Sequence, residues 1–200
     1  MSASASTPRI RLTQLIYLLV LALVALSDGR SIEGGAGLIA QAAGFSLVVV
    51  AVLGRLWITL FIAGRKDAEL VRVGPYASCR HPLYLGSMIA ALGLALSTRS
   101  VVLTVLLPLA VAWFGANAAR REDAALQQAH GAEWLRYRNA VPAFWPRRST
   151  GGTPEWITVP PRIYRKAFLD AASFLALWLA VVVIDTLRSG GAWQALFRLP

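Results

Sequence analysis

Apolar residues fall along this chain in long blocks separated by short polar stretches, with no sustained alternation. The first block runs from about Ile10 to Ser27 and ends in the turn-rich SDGRSIEGGAG; the second covers about Leu38 to Ala63. A third, about Leu83 to Ser97, passes through Thr98-Arg99-Ser100 into a fourth, about Val101 to Ala119, and a fifth covers about Ala167 to Leu187. A hydrocarbon core of about 30 Å asks for roughly 20 apolar residues in a helix. Backbone deprived of water must bond to itself, which helices do segment by segment. The expected fold is therefore all-α, a polytopic membrane bundle of about five transmembrane helices. The third block, 15 residues long, reaches only about 22 Å, so it begins inside the interface or is shielded by neighbours. Its tight link to the fourth predicts an antiparallel hairpin, and Pro108 predicts a kink in the fourth.

Composition agrees. Of 200 residues, 56% are hydrophobic and 15% charged, with a mean hydropathy of +0.56, against roughly 25% charged in a soluble domain. The length fits a single membrane-embedded domain over 1–200, with an additional C-terminal helix at 167–187. Residues 15–26 resemble a signal-peptide core, with Ala22 and Ala25 as its small residues. Four further blocks need an inserted partner, which favours an uncleaved first span.

The net charge of +10 invites a nucleic-acid reading, which its distribution opposes. With the N-terminus inside, Arg9, Arg11, the 64–82 loop and the 120–166 segment place fifteen Lys and Arg on one face. The other face has four, Arg30, Arg99, Arg188 and Arg198. That asymmetry predicts a cytoplasmic N-terminus and an outer C-terminus, with no nucleic-acid partner and membrane lipids as surroundings. Eighteen arginines against two lysines point to a GC-rich bacterial genome, hence a bacterial inner membrane. One cysteine, Cys79, and two histidines, His81 and His130, leave no disulfide framework and no zinc cluster, so no metal site is expected. Arg55 lies inside the second block; it either snorkels to the interface or faces a polar space between helices.

The chemistry gathers in two places. Residues 64–87 read GRKDAELVRVGPYASCRHPLYLGS. Gly74-Pro75 is a turn, and Pro82 suits the first position of the following helix. That helix's free N–H groups, with Arg80 beside them, would sit at the cytoplasmic interface and suit an anion. Gly86 would let a flat ligand approach the backbone. Residues 120–146 read RREDAALQQAHGAEWLRYRNAVPAFWP. Glu122 and Asp123 stand where a helix leaves the bilayer, Gly131 reads as a helix terminator, and Glu133 to Asn139 as a short amphipathic helix. Trp134, Tyr137, Phe144 and Trp145 suit an interfacial lid. His130 reads as a helix-end residue, Cys79 as a structural thiol, and Trp193, Leu196 and Phe197 as an interfacial stretch.

Taken together, GPYxxxRHPLYLG, a hairpin, an acidic pair and HGxEWxxYxxxVPxFWP resemble the isoprenylcysteine carboxyl methyltransferase and phospholipid methyltransferase superfamily over about Arg55 to Pro146. The resemblance implies S-adenosylmethionine bound in a cytoplasmic-face pocket and a lipophilic substrate entering from the bilayer. By position it implies that Arg80, His81, Pro82, Tyr84, Gly86 and Glu122 bind the cofactor. It implies that Arg138 positions a substrate carboxylate, with Tyr137 as its catalytic neighbour. If the acceptor is an amine, His81 or Tyr137 could accept its proton. Asp123 stands where the family has glutamate, which leaves its role open, and Trp134 where the family often has tyrosine. The implied activity is most like isoprenylcysteine carboxyl O-methylation. The alternatives are a phospholipid N-methyltransferase or another small-lipophile methyltransferase, a membrane reductase of the steroid 5α-reductase type, and a non-catalytic membrane protein.

Overall fold

Helix–helix contact in lipid favours small residues, because lipid tails are as apolar as leucine and close backbone approach supplies the attraction. This chain places glycine at such a crossing. In the computed structural model, which describes residues 27–28, 32–65, 69–148, 152, 154–189 and 197–198, α1 (Gly34–Ile62) packs along α3 (Pro82–Ser97). Between them lies the short α2 (Pro75–Ser78). At the crossing a Cβ on Gly44 would stand 2.5 Å from the Gly93 carbonyl oxygen, and one on Gly93 would stand 2.6 Å from that of Gly44. The two backbones touch here, and only glycine fits.

The hairpin is present. Thr98 and Arg99 turn the chain, Arg99 with a left-handed φ of 58°, and the Ser100 hydroxyl accepts from Leu103 N–H at 3.3 Å to start α4 (Val101–Ala140). From Val101 to the break at Gly131 the run of α4 is about 45 Å long, longer than a hydrocarbon core of about 30 Å, so its polar C-terminal part exceeds the length needed to span a bilayer. Pro108 leaves the helical dihedrals in place; the break comes at Gly131, with φ 51° and ψ −120°. The remaining helix, α5 (Pro161–Ser189), packs on α1 and α3.

One face of α5 carries its attachments. Ala171, Phe174 and Leu177 join Val48, Val52, Ala90 and Leu94 in the main apolar core. The Trp178 indole N–H donates to Ser97 Oγ at 2.9 Å, and its ring lies 4.5 Å from that of Phe45. Asp185 pairs with Arg99. Asp170 accepts from Arg55 Nη2 at 2.7 Å, while Arg55 Nη1 donates to Leu83 O at 3.1 Å and Ser87 Oγ at 2.8 Å. Of the two readings of Arg55, the structure shows the one between helices: the side chain ties α1, α3 and α5 together.

Three helices, Gly34–Ile62, Val101–Ala140 and Pro161–Arg188, are long and apolar enough to cross a membrane, and Pro82–Ser97 is a shorter apolar one. Large apolar residues such as Leu53, Trp57, Leu109, Trp113 and Leu179 face outward, as lipid contact requires. The fold is an all-helical membrane bundle. Its one β pairing among the described residues is parallel, β1 (Ser27–Asp28) with β2 (Phe197–Arg198). The first predicted span lies outside the described residues except for Ser27, as do Trp193 and Leu196.

Two glycine substitutions separate steric from backbone constraint. Gly44→Leu is expected to cost about 1–3 kcal/mol or more by overpacking the α1–α3 crossing. Gly131→Ala meets nothing within 4 Å and is expected to cost about 1–3 kcal/mol through its positive φ alone. Thermal unfolding in detergent or nanodiscs checks both, and an unchanged midpoint for Gly44→Leu would refute the crossing.

Candidate active site

The two chemical segments meet through their main chains. Arg80 N–H donates to Pro142 O at 2.9 Å, His81 N–H to Ala143 O at 3.0 Å, and Arg147 N–H to Ser78 O at 3.0 Å. Pro142 and Pro146 lack N–H groups and hold their neighbours extended, so the segment presents carbonyls to the loop. The buried Cys79 thiol joins in, donating to Ala143 O at 3.2 Å or Phe144 O at 3.3 Å. Burial pushes it above the usual thiol range, which agrees with a structural thiol.

Side chains lock the same junction. Asp123 accepts from Arg80 Nη1 at 2.6 Å and from His81 Nε2 at 2.7 Å. Arg80 Nε donates to Val141 O at 3.0 Å, and its guanidinium lies 5.4 Å from the Trp134 ring centre. His81, with only 2% of its side chain exposed, sits between the rings of Tyr84 and Phe144, each 5.7 Å away. Asp123, whose role the sequence left open, is thus the carboxylate that orients both Arg80 and His81. Glu122, one residue earlier and about 100° around the helix, turns the other way, its Oε2 4.0 Å from His81 Nδ1.

Glu122 faces a cavity of about 270 Å³, near the lower end of the range for small-molecule sites. One wall is a single face of α4, with Glu122, Ala125, Leu126 and Ala129 at helical spacing, then His130. The opposite wall is Ile62 at the end of α1 and the strap Glu69-Leu70-Val71. Arg80, His81, Tyr76, Trp134 and Tyr137 close it. The alanines leave space where larger side chains would fill it. The turn at Gly131 brings Trp134 and Tyr137 beneath Arg80 and Tyr76, and an ion pair between Arg72 and Glu133 at 2.5 Å holds the strap to the segment beyond the turn.

Of the residues expected to form the site, Arg80, His81, Glu122 and Tyr137 line the cavity. Pro82, Tyr84 and Gly86 do not, because α3 turns into the bundle at once. Pro82 is buried, Tyr84 packs on His81 and toward Gly115, and the space a Gly86 side chain would occupy is filled by Arg55, 3.1 Å away. The space beside Gly86 is taken by the Arg55 side chain. Arg138 is exposed and off the cavity, since its neighbour Tyr137 takes the inward position. The Tyr137 hydroxyl donates to Tyr76 O at 2.7 Å, which binds it to the scaffold. The expected lid is also revised: Trp134 is 1% exposed and a wall, and Trp145 is 81% exposed.

Glu69, Tyr76 and His130 are cavity residues that sequence reasoning missed. The acids Asp67 and Glu69 in the otherwise basic GRKDAELVR loop were the available signal for Glu69. Burial, followed by the nearby Glu122 carboxylate, pushes the Tyr76 phenol well above its ordinary range, so it stays protonated. Among the described residues neither Glu69 nor Glu122 has a lysine or arginine within ion-pair distance. The buried Trp134 indole N–H has no acceptor among them. The cavity therefore presents two carboxyl groups with no lysine or arginine partner among the described residues, and an unmet donor in its wall.

The "Isoprenylcysteine carboxyl methyltransferase (ICMT) family" matches residues 36–128. The cobalt-zinc-cadmium resistance protein CzcN of Cupriavidus metallidurans is 38% identical over 153 residues, 76% of this chain and 70% of that protein. The nickel-cobalt-cadmium resistance protein NccN of Alcaligenes xylosoxydans xylosoxydans is 35% identical over 152 residues, again 76% and 70%. No solved structure matches. With the bundle, the RHP–acid junction and these matches together, the chain belongs to the isoprenylcysteine carboxyl methyltransferase family of membrane methyltransferases.

Proposed function

We propose that this protein is an S-adenosylmethionine-dependent methyltransferase acting on a lipophilic acceptor at the membrane surface. The observation that carries the reading is the meeting of His81 and Glu122, from segments separated by a whole helical hairpin, on the wall of one cavity. The residues suit this cofactor. Glu122 and Glu69 offer acceptors for an ammonium or ribose hydroxyls, Ala125 and Ala129 leave room for a flat ring, and Tyr76 and Trp134 supply aromatic walls. The unmet Trp134 N–H is where a ligand oxygen or nitrogen would restore a hydrogen bond whose loss costs about 1–3 kcal/mol. An acid-rich cavity also favours a cationic ligand. When bound, the cofactor supplies an electrophilic methyl group, so the protein's work is positioning.

Arg80 and His81, fixed by Asp123, set the shape of the cavity, and Arg80 is too fully engaged to act as a freely available anion clamp. The charge asymmetry supports placing the cavity on the cytoplasmic face of a bacterial inner membrane, where a soluble cofactor is available. The relatives' names tie them to resistance to cobalt, zinc, cadmium and nickel. In such a setting, methylation of a membrane component is the part we propose for this chain.

Two neighbouring carboxylates are expected to separate binding from folding. Glu122→Gln should weaken S-adenosylhomocysteine binding at least about tenfold, worth about 1.4 kcal/mol, with an unchanged unfolding midpoint; unchanged affinity by calorimetry would reject the assignment. Asp123→Asn should instead cost about 3 kcal/mol of stability, because it strips the partner from a largely buried guanidinium. Thermal unfolding of the two variants side by side checks this.

A further inference from the structure

The chain between α4 and α5 concentrates positive charge that has no acidic partner among the described residues. In the described stretches 145–148 and 154–166, Arg147, Arg148, Arg162, Arg165 and Lys166 are exposed, against one acid, Glu155. None of the five has a carboxylate within ion-pair distance or a side-chain hydrogen bond among the described residues, whereas Arg55, Arg72, Arg80 and Arg99 are all paired with acids. The same stretches hold Trp156 and Trp145, 84% and 81% exposed, more than any other large apolar side chain described. Ile163, Phe168 and Leu169 face outward on the first turns of α5. Tryptophan, with an apolar body and one N–H donor, is at home where a bilayer meets water.

Both stretches return to one place. Arg147 N–H donates to Ser78 O at the end of α2, and Ile157 packs against the cluster of Ile58, Phe61 and Tyr76. Pro160 lies against Gly64, just past the end of α1. The cations and tryptophans therefore ring the face where α1 ends and α3 and α5 begin. The far part of α4 differs. Arg121, Arg136 and Arg138 are exposed there too, but between residues 115 and 144 Leu135 is the one exposed large apolar side chain, as suits a surface in water.

We infer that the stretches 145–148 and 154–166 form a binding surface for anionic phospholipid headgroups, and that bound lipid holds the junction between 78–81 and 141–147 closed. Lipid phosphates accept charge-assisted bonds from the arginines, while the indoles sit at the headgroup level. A basic cluster beside a spanning helix is drawn to an anionic leaflet. Arg147 links lipid to junction, since its side chain faces outward while its N–H is bonded to Ser78 O. A general excess of charge on one face orients a membrane protein without needing particular residues; this surface needs these five. It is independent of the methyl-transfer reading.

The test uses the full chain in neutral detergent with equal amounts of phosphatidylglycerol and phosphatidylcholine, bound lipid being counted by native mass spectrometry. Phosphatidylglycerol is expected to be retained at least about tenfold over phosphatidylcholine. The triple variant Arg162→Gln, Arg165→Gln, Lys166→Gln should lower that preference at least about fivefold, and Trp156→Ala should weaken retention several-fold. The triple variant Arg121→Gln, Arg136→Gln, Arg138→Gln removes the same charge elsewhere and should leave the preference unchanged. In nanodiscs, replacing phosphatidylcholine by phosphatidylglycerol should slow hydrogen exchange at the Arg80, His81 and Arg147 amides several-fold, and should not do so in the double variant Arg147→Gln, Arg148→Gln. No preference in the wild type, or equal loss in the two triple variants, would overturn the headgroup surface. Unchanged amide exchange would overturn the hold on the junction. Equal protection by inorganic phosphate in phosphatidylcholine nanodiscs would assign a soluble anion and overturn the lipid.

Discussion

Asp123 accepts from Arg80 and His81 at once, and the site depends on that single carboxylate. Through it the polar half of α4 is drawn over the entry to α3, and the carbonyls of 141–143 come within reach of the Arg80 side chain and the N–H groups of Arg80 and His81. A charge-assisted bond to each partner, largely shielded from water, holds far more firmly than the same pair at a surface. With the junction closed, Glu122 has a defined direction and the strap has a wall to lie against. The result is a cavity shaped before any ligand arrives.

The bundle beneath is organised by different means. At Gly44 and Gly93 the backbones of α1 and α3 touch, which excludes side chains from the crossing and fixes how deeply the two helices nest. The final helix is held by polar pairs placed along one face: Asp170 to Arg55 toward the cavity end, Trp178 to Ser97 near the turn, Asp185 to Arg99 at the turn itself. Surrounded by lipid, such groups have few competing partners, so they serve as registration points as well as attractions. Arg55 shows how closely scaffold and motif are interleaved, since it fills the space left by Gly86 inside the RHPLYLG element.

The division between neighbouring residues also governs the chemistry. Glu122 and Asp123 differ by about 100° around one helix, and that angle makes one a cavity-facing group and the other a fixture. Tyr137 and Arg138 repeat the pattern. Two acids on the wall beside an arginine already held by Asp123 set the cavity's charge, a balance that no single side chain conveys.

The bundle was legible in the sequence because long apolar blocks in lipid have one economical backbone solution, the helix, and block length sets the span. The described helices at 34–62, 82–97, 101–140 and 161–189 follow those blocks to within a few residues, except that α4 runs on as a helix well past its apolar end. The RHP and HGxEW segments were also legible as partners, since motif order carries that information. What stayed hidden was direction. Which of two adjacent acids faces the cavity, what fills the space beside Gly86, and whether Tyr137 has a free hydroxyl all depend on contacts between residues far apart in the chain. Spacing along one helix orders its faces but does not say which face meets the strap at 69–71. Only packing in three dimensions sets that, because the energy resides in pairs that the linear chain leaves unpaired.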